Sequence, residues 1–382
     1  MTRLYLLVTG DFVKTGGMDR ANHALADYLS RQGDEVHLVA YRADADLLAR
    51  SNVTLHRVPK PLNSYSLGRG LLDRTGRIEA ARIARRGGTV IVNGANCRWG
   101  DVNWVHHINA LDPPGPAGLA PKAIKARFDR RAHVGAERSA LGMARRIVTT
   151  CRKNRDDLVR LFDLPADRIE VVYYGNDRET FRPARPGERD AIRSRLGWDL
   201  SRPVTLFVGG LGADRRKGFD TLYTAWARLC LDPAWPADLV VVGDGSDRST
   251  WQGRAERDGL GTRVRFLGFR RDVSDLFRAC DAHVLPSRYE GYSLVTQEAL
   301  CSGLPAFVTR TAGIAERYEG PLAEILLIPD PNDATGLADR LKSWPLLAES
   351  VRSSLDDLSA ALSGFTWDDM AAGIAEVVSG PA

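Results

Sequence analysis

Short apolar runs alternate with longer stretches of helical periodicity along the whole chain. Leu4 to Thr9 reads as a buried strand ending at Gly10, followed by a loop to Gly17. Met18 to Arg31 then has helical spacing, with Leu25, Ala26 and Leu29 on one side, and Gly33 precedes a strand over Glu35 to Ala40. Strand, glycine loop, helix and strand make a βαβ unit, and therefore a parallel sheet. Further strands are expected at Thr54–Val58, Thr89–Asn93, Val102–His107, Arg146–Cys151 and Ile169–Tyr174. Residues 60–88 read as basic and irregular, partly helical at Arg77–Arg86. A loop holding Pro113, Pro114 and Pro116 precedes a long basic helical region, Lys122 to Arg146, and Asn154–Phe162 is a shorter helix. The stretch 182–190, rich in Pro, Gly and Arg, reads as a linker.

After it the alternation restarts. Strands are expected at Val204–Val208, Leu239–Val242, Val264–Leu267, Ala282–Leu285, Ala306–Thr309 and Ile325–Ile328. Helices are expected at Asp220–Leu229, from about Ser293, at Asp333–Leu341, and after Phe365-Thr366-Trp367. Two α/β halves fit a length of 382 residues, which exceeds what single cores usually reach.

Composition narrows the class. At 44% apolar and 26% charged residues the chain is ordinary globular material, and no apolar run approaches transmembrane length. The N-terminus lacks a small-residue cleavage site, and the five scattered cysteines form no CxxC, so a reduced, cytoplasmic protein is expected. Charge is uneven: residues 1–180 carry nine surplus positive charges, the remainder four surplus negative ones, for the net +5. The excess lies in Lys60–Arg86 and Lys122–Arg146. Solvated faces explain it, as does an anionic membrane or lipid acceptor; no nucleic-acid motif accompanies it.

Candidate chemistry centres on Pro286 to Leu300. A strand ends at Pro286, Arg288 to Tyr292 form a loop in which Gly291 allows close backbone approach, and a helix follows with a Gly303-Leu304-Pro305 stop. Its N-terminus suits a phosphate. Glu290 and Glu298 flank it and would accept hydrogen bonds from sugar-nucleotide hydroxyls, although two surface glutamates would give the same spacing. After the strand Val204–Val208, the run Gly209 to Gly218 carries Arg215, Arg216 and Lys217, fit to neutralise a diphosphate or to form a solvated turn. Gly16-Gly17 offers backbone amides or a plain turn. His106-His107 lies at a strand's carboxyl end, where parallel sheets hold their ligands, although a His pair at a strand end is more often structural.

The block Gly268 to Val273, Leu276 to Ala282, Pro286-Ser287, Glu290-Gly291, Glu298-Ala299 and Gly303-Leu304-Pro305 closely resembles the donor-site segment of retaining GT-B glycosyltransferases of family 4 (glycosyl transferases group 1). The likeness runs from about Val8 to Trp367. It implies an α/β GT-B fold: two Rossmann-like domains facing across a cleft, 1–182 for the acceptor and 183–364 for the nucleotide sugar, with a last helix over about 365–382 packing back on the first. By resemblance, Glu290 meets the donor sugar, Glu298 the ribose, and Lys217 with Arg216 the leaving diphosphate. Gly210 stands where many relatives have Arg, which leaves Arg215 as the competitor of Arg216. Gly291, Tyr292, Ser293, Leu294 and Val295 line the donor, Phe269 and Arg270 the nucleobase, and Gly16 and Gly17 the diphosphate or acceptor. His106 contacts the transferred sugar, with His107 as the neighbouring choice. Glu137 stands where many relatives have glutamate, Cys151 where they usually have serine, and Gly313 to Glu316 resembles a shortened Gly-Gly-x-x-Glu turn.

The function implied is retaining transfer of a hexose from a nucleotide sugar, UDP before GDP, to a hydroxyl of a glycan or lipid-linked acceptor. No metal or other cofactor is expected, because no Asp-x-Asp lies where a metal would serve. The partners implied are the nucleotide-sugar donor and the acceptor, with peripheral association at the inner face of an anionic membrane. An NDP-sugar epimerase, a glycosyl phosphorylase, or a non-catalytic sugar-nucleotide-binding subunit would share this scaffold. The missing dinucleotide fingerprint disfavours a dehydrogenase.

Overall fold

The computed structural model describes residues 2–113 and 121–380, and within the helix Pro121–Met143 the side chains from residue 127 onward. Pro114, Pro116 and the side chains of Lys122 and Lys125 lie outside the described residues. The chain divides into two compact units, Met1–Gly175 with Phe365–Ala382, and Asn176–Gly364.

The first unit is built on strands β1 (Leu4–Val8), β2 (Glu35–Ala40), β3 (Val53–Arg57), β4 (Thr89–Asn93), β5 (Val102–Val105), β6 (Arg146–Thr149) and β7 (Ile169–Val171). Among the described residues they form one parallel sheet in the order β3-β2-β1-β4-β5-β6-β7. Helices cover both faces of such a sheet, so its strands are continuous apolar runs, as in Leu6, Val8, Val39, Val90 and Val92 of the core. The helix Gly17–Arg31 turns Ala21, Leu25, Ala26 and Leu29 inward; each buried leucine contributes roughly 1.5–3 kcal/mol. The last helix, Trp367–Ser379, opens on a capping box in which Asp369 N–H donates to Thr366 Oγ1 (3.2 Å) and Thr366 N–H to Asp369 Oδ2 (2.7 Å). It packs on the helix Gly17–Arg31, with the Arg20 guanidinium 5.4 Å over the Trp367 ring and Arg31 paired with Asp368.

One expectation fails here. Residues 60–88 are not largely irregular: a helix runs from Tyr65 to Arg85, with Ser64 Oγ accepting from Leu67 N–H (3.5 Å). Two of its three glycines, Gly68 and Gly76, look like breakers but are packing sites, whereas Gly70 faces open space. A Cβ on Gly68 would lie 2.8 Å from the Tyr41 ring, and one on Gly76 would lie 2.8 Å from Cys97 Sγ. Close approach to the sheet thus offsets the loss of helix propensity, about 1 kcal/mol per glycine.

The second unit holds β8 (Val204–Val208), β9 (Asp238–Val242), β10 (Val264–Gly268), β11 (Ala282–Leu285), β12 (Ala306–Thr309) and β13 (Leu327–Ile328), parallel in the order β10-β9-β8-β11-β12-β13. Helices at Glu188–Arg195, Arg248–Arg257, Gly320–Leu326 and Arg352–Gly364 were not anticipated. The first of these starts inside the stretch 182–190, where Arg182 forks onto Glu188 at 2.7 and 3.0 Å. Strand order reverses between β8 and β11 in this unit and between β1 and β4 in the first, and ligands of open parallel sheets bind at such points.

Candidate functional site

At the reversal point of the second unit, the loops that follow β8 and β11 meet. The turn after β8 lies on its neighbour through glycine: Gly209 N–H donates to Val242 O (2.9 Å), and a Cβ on Gly243 would lie 2.0 Å from Gly209 O. Gly210 stays open, its nearest outside atom 3.9 Å from a built Cβ. The chain then passes through left-handed Arg215 (φ 52°) and Gly218 (φ 68°). A Cβ on Gly218 would sit 1.8 Å from Pro286 O, so only glycine lets the two loops touch.

This contact delivers Lys217 to Glu290: the ammonium pairs with Oε2, both side chains largely buried. Arg216 is adjacent, with its carbonyl accepting from Arg288 N–H (2.8 Å), whereas the Arg215 side chain is exposed near Asp220. Beyond Gly291, Tyr292 donates its buried hydroxyl to Gln297 Oε1 (2.7 Å). Ser293 takes a left-handed φ of 87° and turns its hydroxyl to Thr296 Oγ1 (2.8 Å). No side chain therefore caps the helix Leu294–Cys301, and its first turn, including Leu294 and Val295, keeps the N-terminal partial positive charge. Glu298 lies on that helix. Gly313 N–H donates to Glu290 O (3.2 Å), which places the short turn Gly313–Arg317 beside the loop. Lys217, Glu290 and the uncapped helix start thus come together.

Phe269 and Arg270 do not join them. They follow β10 at the sheet edge, with the Phe269 ring exposed and Arg270 forked onto Asp272 (2.8 and 2.5 Å).

In the first unit, a cavity of about 510 Å³ opens at the β1/β4 reversal, bordered by Gly10, Asp19, Asn93, Gly94, His106 and His107, with Tyr41, Tyr65 and Arg69 on the same wall. His106 is buried at the end of β5 against Trp104, ring centroids 4.2 Å apart. Its Nδ1 lies 2.7 Å from Tyr174 Oη and its Nε2 3.4 Å from Asn22 Nδ2. Asn22 Nδ2 also donates to Met18 O (2.9 Å), which fixes the amide as donor; the network then assigns the proton to Nδ1, which donates to Tyr174. Burial holds the His106 pKa down at about 3, so the imidazole is neutral. His107 instead lies against Asp112 at 3.0 Å, partly exposed. Glu137 is buried and accepts from Asn109 N–H (2.9 Å), Asn109 Nδ2 (2.9 Å) and Ala110 N–H (3.3 Å), which holds the turn bordering the cavity; burial pushes its pKa up.

Gly16 (φ 85°) and Gly17 form the start of the helix Gly17–Arg31, again without a side-chain cap. Asp19 in its first turn has its pKa raised to about 6, first by burial and then by Asp11. Asp19, Asn22 and Tyr174 escaped sequence reasoning because nothing local marks them. Among the described residues, His23, Asp44 and Asp46 are grouped closely enough for a cation, and Lys14 already pairs with Asp46 there. All five cysteines are free thiols.

Comparisons with known proteins bear on both units. Residues 15–180 match the family described as Glycosyltransferase Family 4, and residues 202–344 match Glycosyl transferases group 1. A D-inositol 3-phosphate glycosyltransferase of Xylanimonas cellulosilytica is 32% identical over 291 residues, 73% of this chain and 66% of that protein, so the chain spans just under two thirds of its length. A mannosylfructose-phosphate synthase of Agrobacterium fabrum is 29% identical over 61% of this chain and 52% of its own. Among solved structures, sucrose-phosphate synthase of Thermosynechococcus elongatus superposes with a TM-score of 0.76 at 20% identity, covering 99% of this chain and 98% of that one. WaaG, a glycosyltransferase involved in lipopolysaccharide biosynthesis, gives 0.75 at 19% identity, covering 99% and 100%. Anabaena HepE, solved with UDP-glucose, gives 0.70 at 19% identity, covering 99% and 100%. At these identities the structures speak to the fold, and it is GT-B. With the two family matches taking in most of both units, the chain belongs to the GT-B glycosyltransferases, a family 4 segment followed by a group 1 segment.

Proposed function

We propose that the protein transfers a hexose from a nucleotide sugar, UDP-linked by preference, to an acceptor hydroxyl with retention of anomeric configuration. The observation that carries this reading is the meeting of Lys217, Glu290 and the uncapped helix start at Leu294 where strand order reverses. A diphosphate placed there gains a cation and aligned N–H groups where negative charge develops as the C1–O bond breaks. Glu290 faces the positive charge on the sugar ring, and Glu298 binds ribose hydroxyls. The acceptor oxygen bonds to C1, and its proton leaves with the diphosphate. Lys217, Arg216 and the helix start take the part a divalent ion would play, so transfer survives chelator. Donor binding by the HepE structures supports the nucleotide class, and the names of the inositol and mannosylfructose relatives support a phosphorylated or otherwise anionic acceptor.

The acceptor occupies the cavity of the first unit, where Nε2 of neutral His106, exchanging its long 3.4 Å contact with Asn22, accepts from a sugar hydroxyl and Arg69 offers positive charge. The helix Tyr65–Arg85 carries an exposed stripe of Leu67, Leu71 and Ile78, flanked by exposed Arg74, Arg77 and Arg85. Such a face suits an anionic bilayer, each arginine near the surface contributing about 1 kcal/mol, and supports a peripheral association on the cytoplasmic side.

A thermal-shift screen against UDP-, GDP-, ADP- and TDP-sugars with EDTA present tests the donor. Stabilisation by one nucleotide class, lost in Lys217→Ala and Glu298→Ala, is the expected result; no shift with any sugar nucleotide, with or without Mg²⁺, would remove the reading. Co-sedimentation with phosphatidylglycerol vesicles, abolished by Leu67→Gln/Leu71→Gln, tests the membrane face.

A further inference from the structure

The loops after β8 and β11 carry the two charged partners Lys217 and Glu290, yet no strand pairing joins them. Arg288 does. Its main-chain N–H donates to Arg216 O (2.8 Å). Its side chain reaches across in the same direction: Nη1 donates to Arg215 O (2.6 Å) and Asp220 Oδ1 (2.8 Å), and Nη2 to Asp220 Oδ2 (2.9 Å) and Thr221 Oγ1 (3.4 Å). Nε donates to Asn332 Oδ1 (2.8 Å). A guanidinium has five N–H groups, and this one finds five acceptors.

The location of those acceptors matters. Two of the carbonyls that Arg288 binds belong to the residues immediately before Lys217, and the left-handed turn at Arg215 is one of them. Glu290 follows Arg288 by two residues on the other loop. Asp220 and Thr221 anchor the fork to the first turn of the helix Phe219–Leu229. Arg288 therefore ties down both ends of the segment from which Lys217 projects, while its own donors are all spent on protein and none is left for a ligand.

We propose that Arg288 is a positioning residue for the diphosphate cation. It holds the Arg215–Arg216 backbone against the Glu290 loop, so that the Lys217 ammonium stands at a fixed depth without Arg288 touching the donor. This rests on the reading of Lys217 given under Proposed function. Lysine cannot take the place of arginine here, since one ammonium cannot span a carboxylate fork, a carbonyl and an amide at once.

The test is a double-mutant cycle read by calorimetry with UDP, or GDP if the screen selects it, alongside melting temperature. Arg288→Lys is expected to weaken nucleotide binding about tenfold in the parent protein and to cost nothing further in a Lys217→Ala background. Asp220→Asn, which keeps Arg288 but weakens its fork, is expected to show the same dependence at smaller amplitude and covers the case of an unstable Arg288 variant. Equal losses with and without Lys217 would make Arg288 a merely structural strut and overturn the proposal, as would unchanged affinity. A parent protein that binds no nucleoside diphosphate at all would instead overturn the donor-site reading beneath it.

Discussion

Lys217 and Glu290 neutralise one another across two loops that leave neighbouring strands. Each is largely shielded from solvent, so removing either leaves an uncompensated charge. In Glu290→Gln the ammonium is released to a diphosphate: UDP is expected to bind five- to tenfold more tightly, while turnover falls at least a hundredfold. In Lys217→Ala both fall. Calorimetry with UDP beside initial rates separates the cases; parallel losses in Glu290→Gln would show that Glu290 holds the nucleotide rather than competing for the lysine.

His106 should shape the acid limb of stability. Its pKa in the folded unit, about 3, lies below the ordinary 6.5. As pH falls below 6.5 the unfolded chain takes up a proton that the folded one refuses, so stability drops between about pH 6 and pH 3. His106→Gln is expected to flatten that limb, measured as urea midpoints at pH 7 and 4.5. Tyr174→Phe removes the acceptor of the buried Nδ1–H and should cost about 1–3 kcal/mol at neutral pH.

Asp19 works in the opposite sense. Burial and Asp11 raise its pKa from 3.8 to about 6, so the folded unit holds a proton that the unfolded chain has already lost. Its contribution favours folding at low pH and fades as pH rises from about 4 to 6. Asp19→Asn should therefore raise the melting temperature at pH 7.5 and leave it nearly unchanged at pH 4. Solvent screening keeps the gain to about 1 kcal/mol. A larger gain at pH 4 than at pH 7.5 would refute this assignment.

Gly175 has no room for a side chain: a Cβ would lie 2.3 Å from the backbone of Thr366 and Trp367. Gly175→Ala must push the start of the last helix away, at a cost of about 2–4 kcal/mol. Hydrogen exchange should then show the helix Trp367–Ser379 opening before the strands of its sheet.

Much of the architecture could be read from the chain because parallel strands covered on both faces are unbroken apolar runs, as Leu4–Val8 and Val204–Val208 show. The helix Tyr65–Arg85 could not: the reason for Gly68 and Gly76 is the Tyr41 ring and Cys97 Sγ, which only the folded sheet brings near. The same limit applies to the sites. Glu290 and Glu298 share one local stretch and announce themselves by spacing. The Lys217–Glu290 pair depends on β8 lying next to β11, and the Tyr174–His106 bond joins residues far apart in sequence. Arg288 was visible as a residue, but its acceptors come from Arg215, Asp220, Thr221 and Asn332, so its role was not.

The last helix belongs to the first unit, and that has a consequence for how the protein is made. Trp367 packs on Tyr174, ring centroids 6.1 Å apart, and Tyr174 holds His106. A ribosome delivers the whole of Asn176–Gly364 before it delivers that tryptophan. The half of the enzyme synthesised first is thus the half completed last, and throughout translation its sheet must wait, with the helix Gly17–Arg31 uncovered, for the segment that closes it.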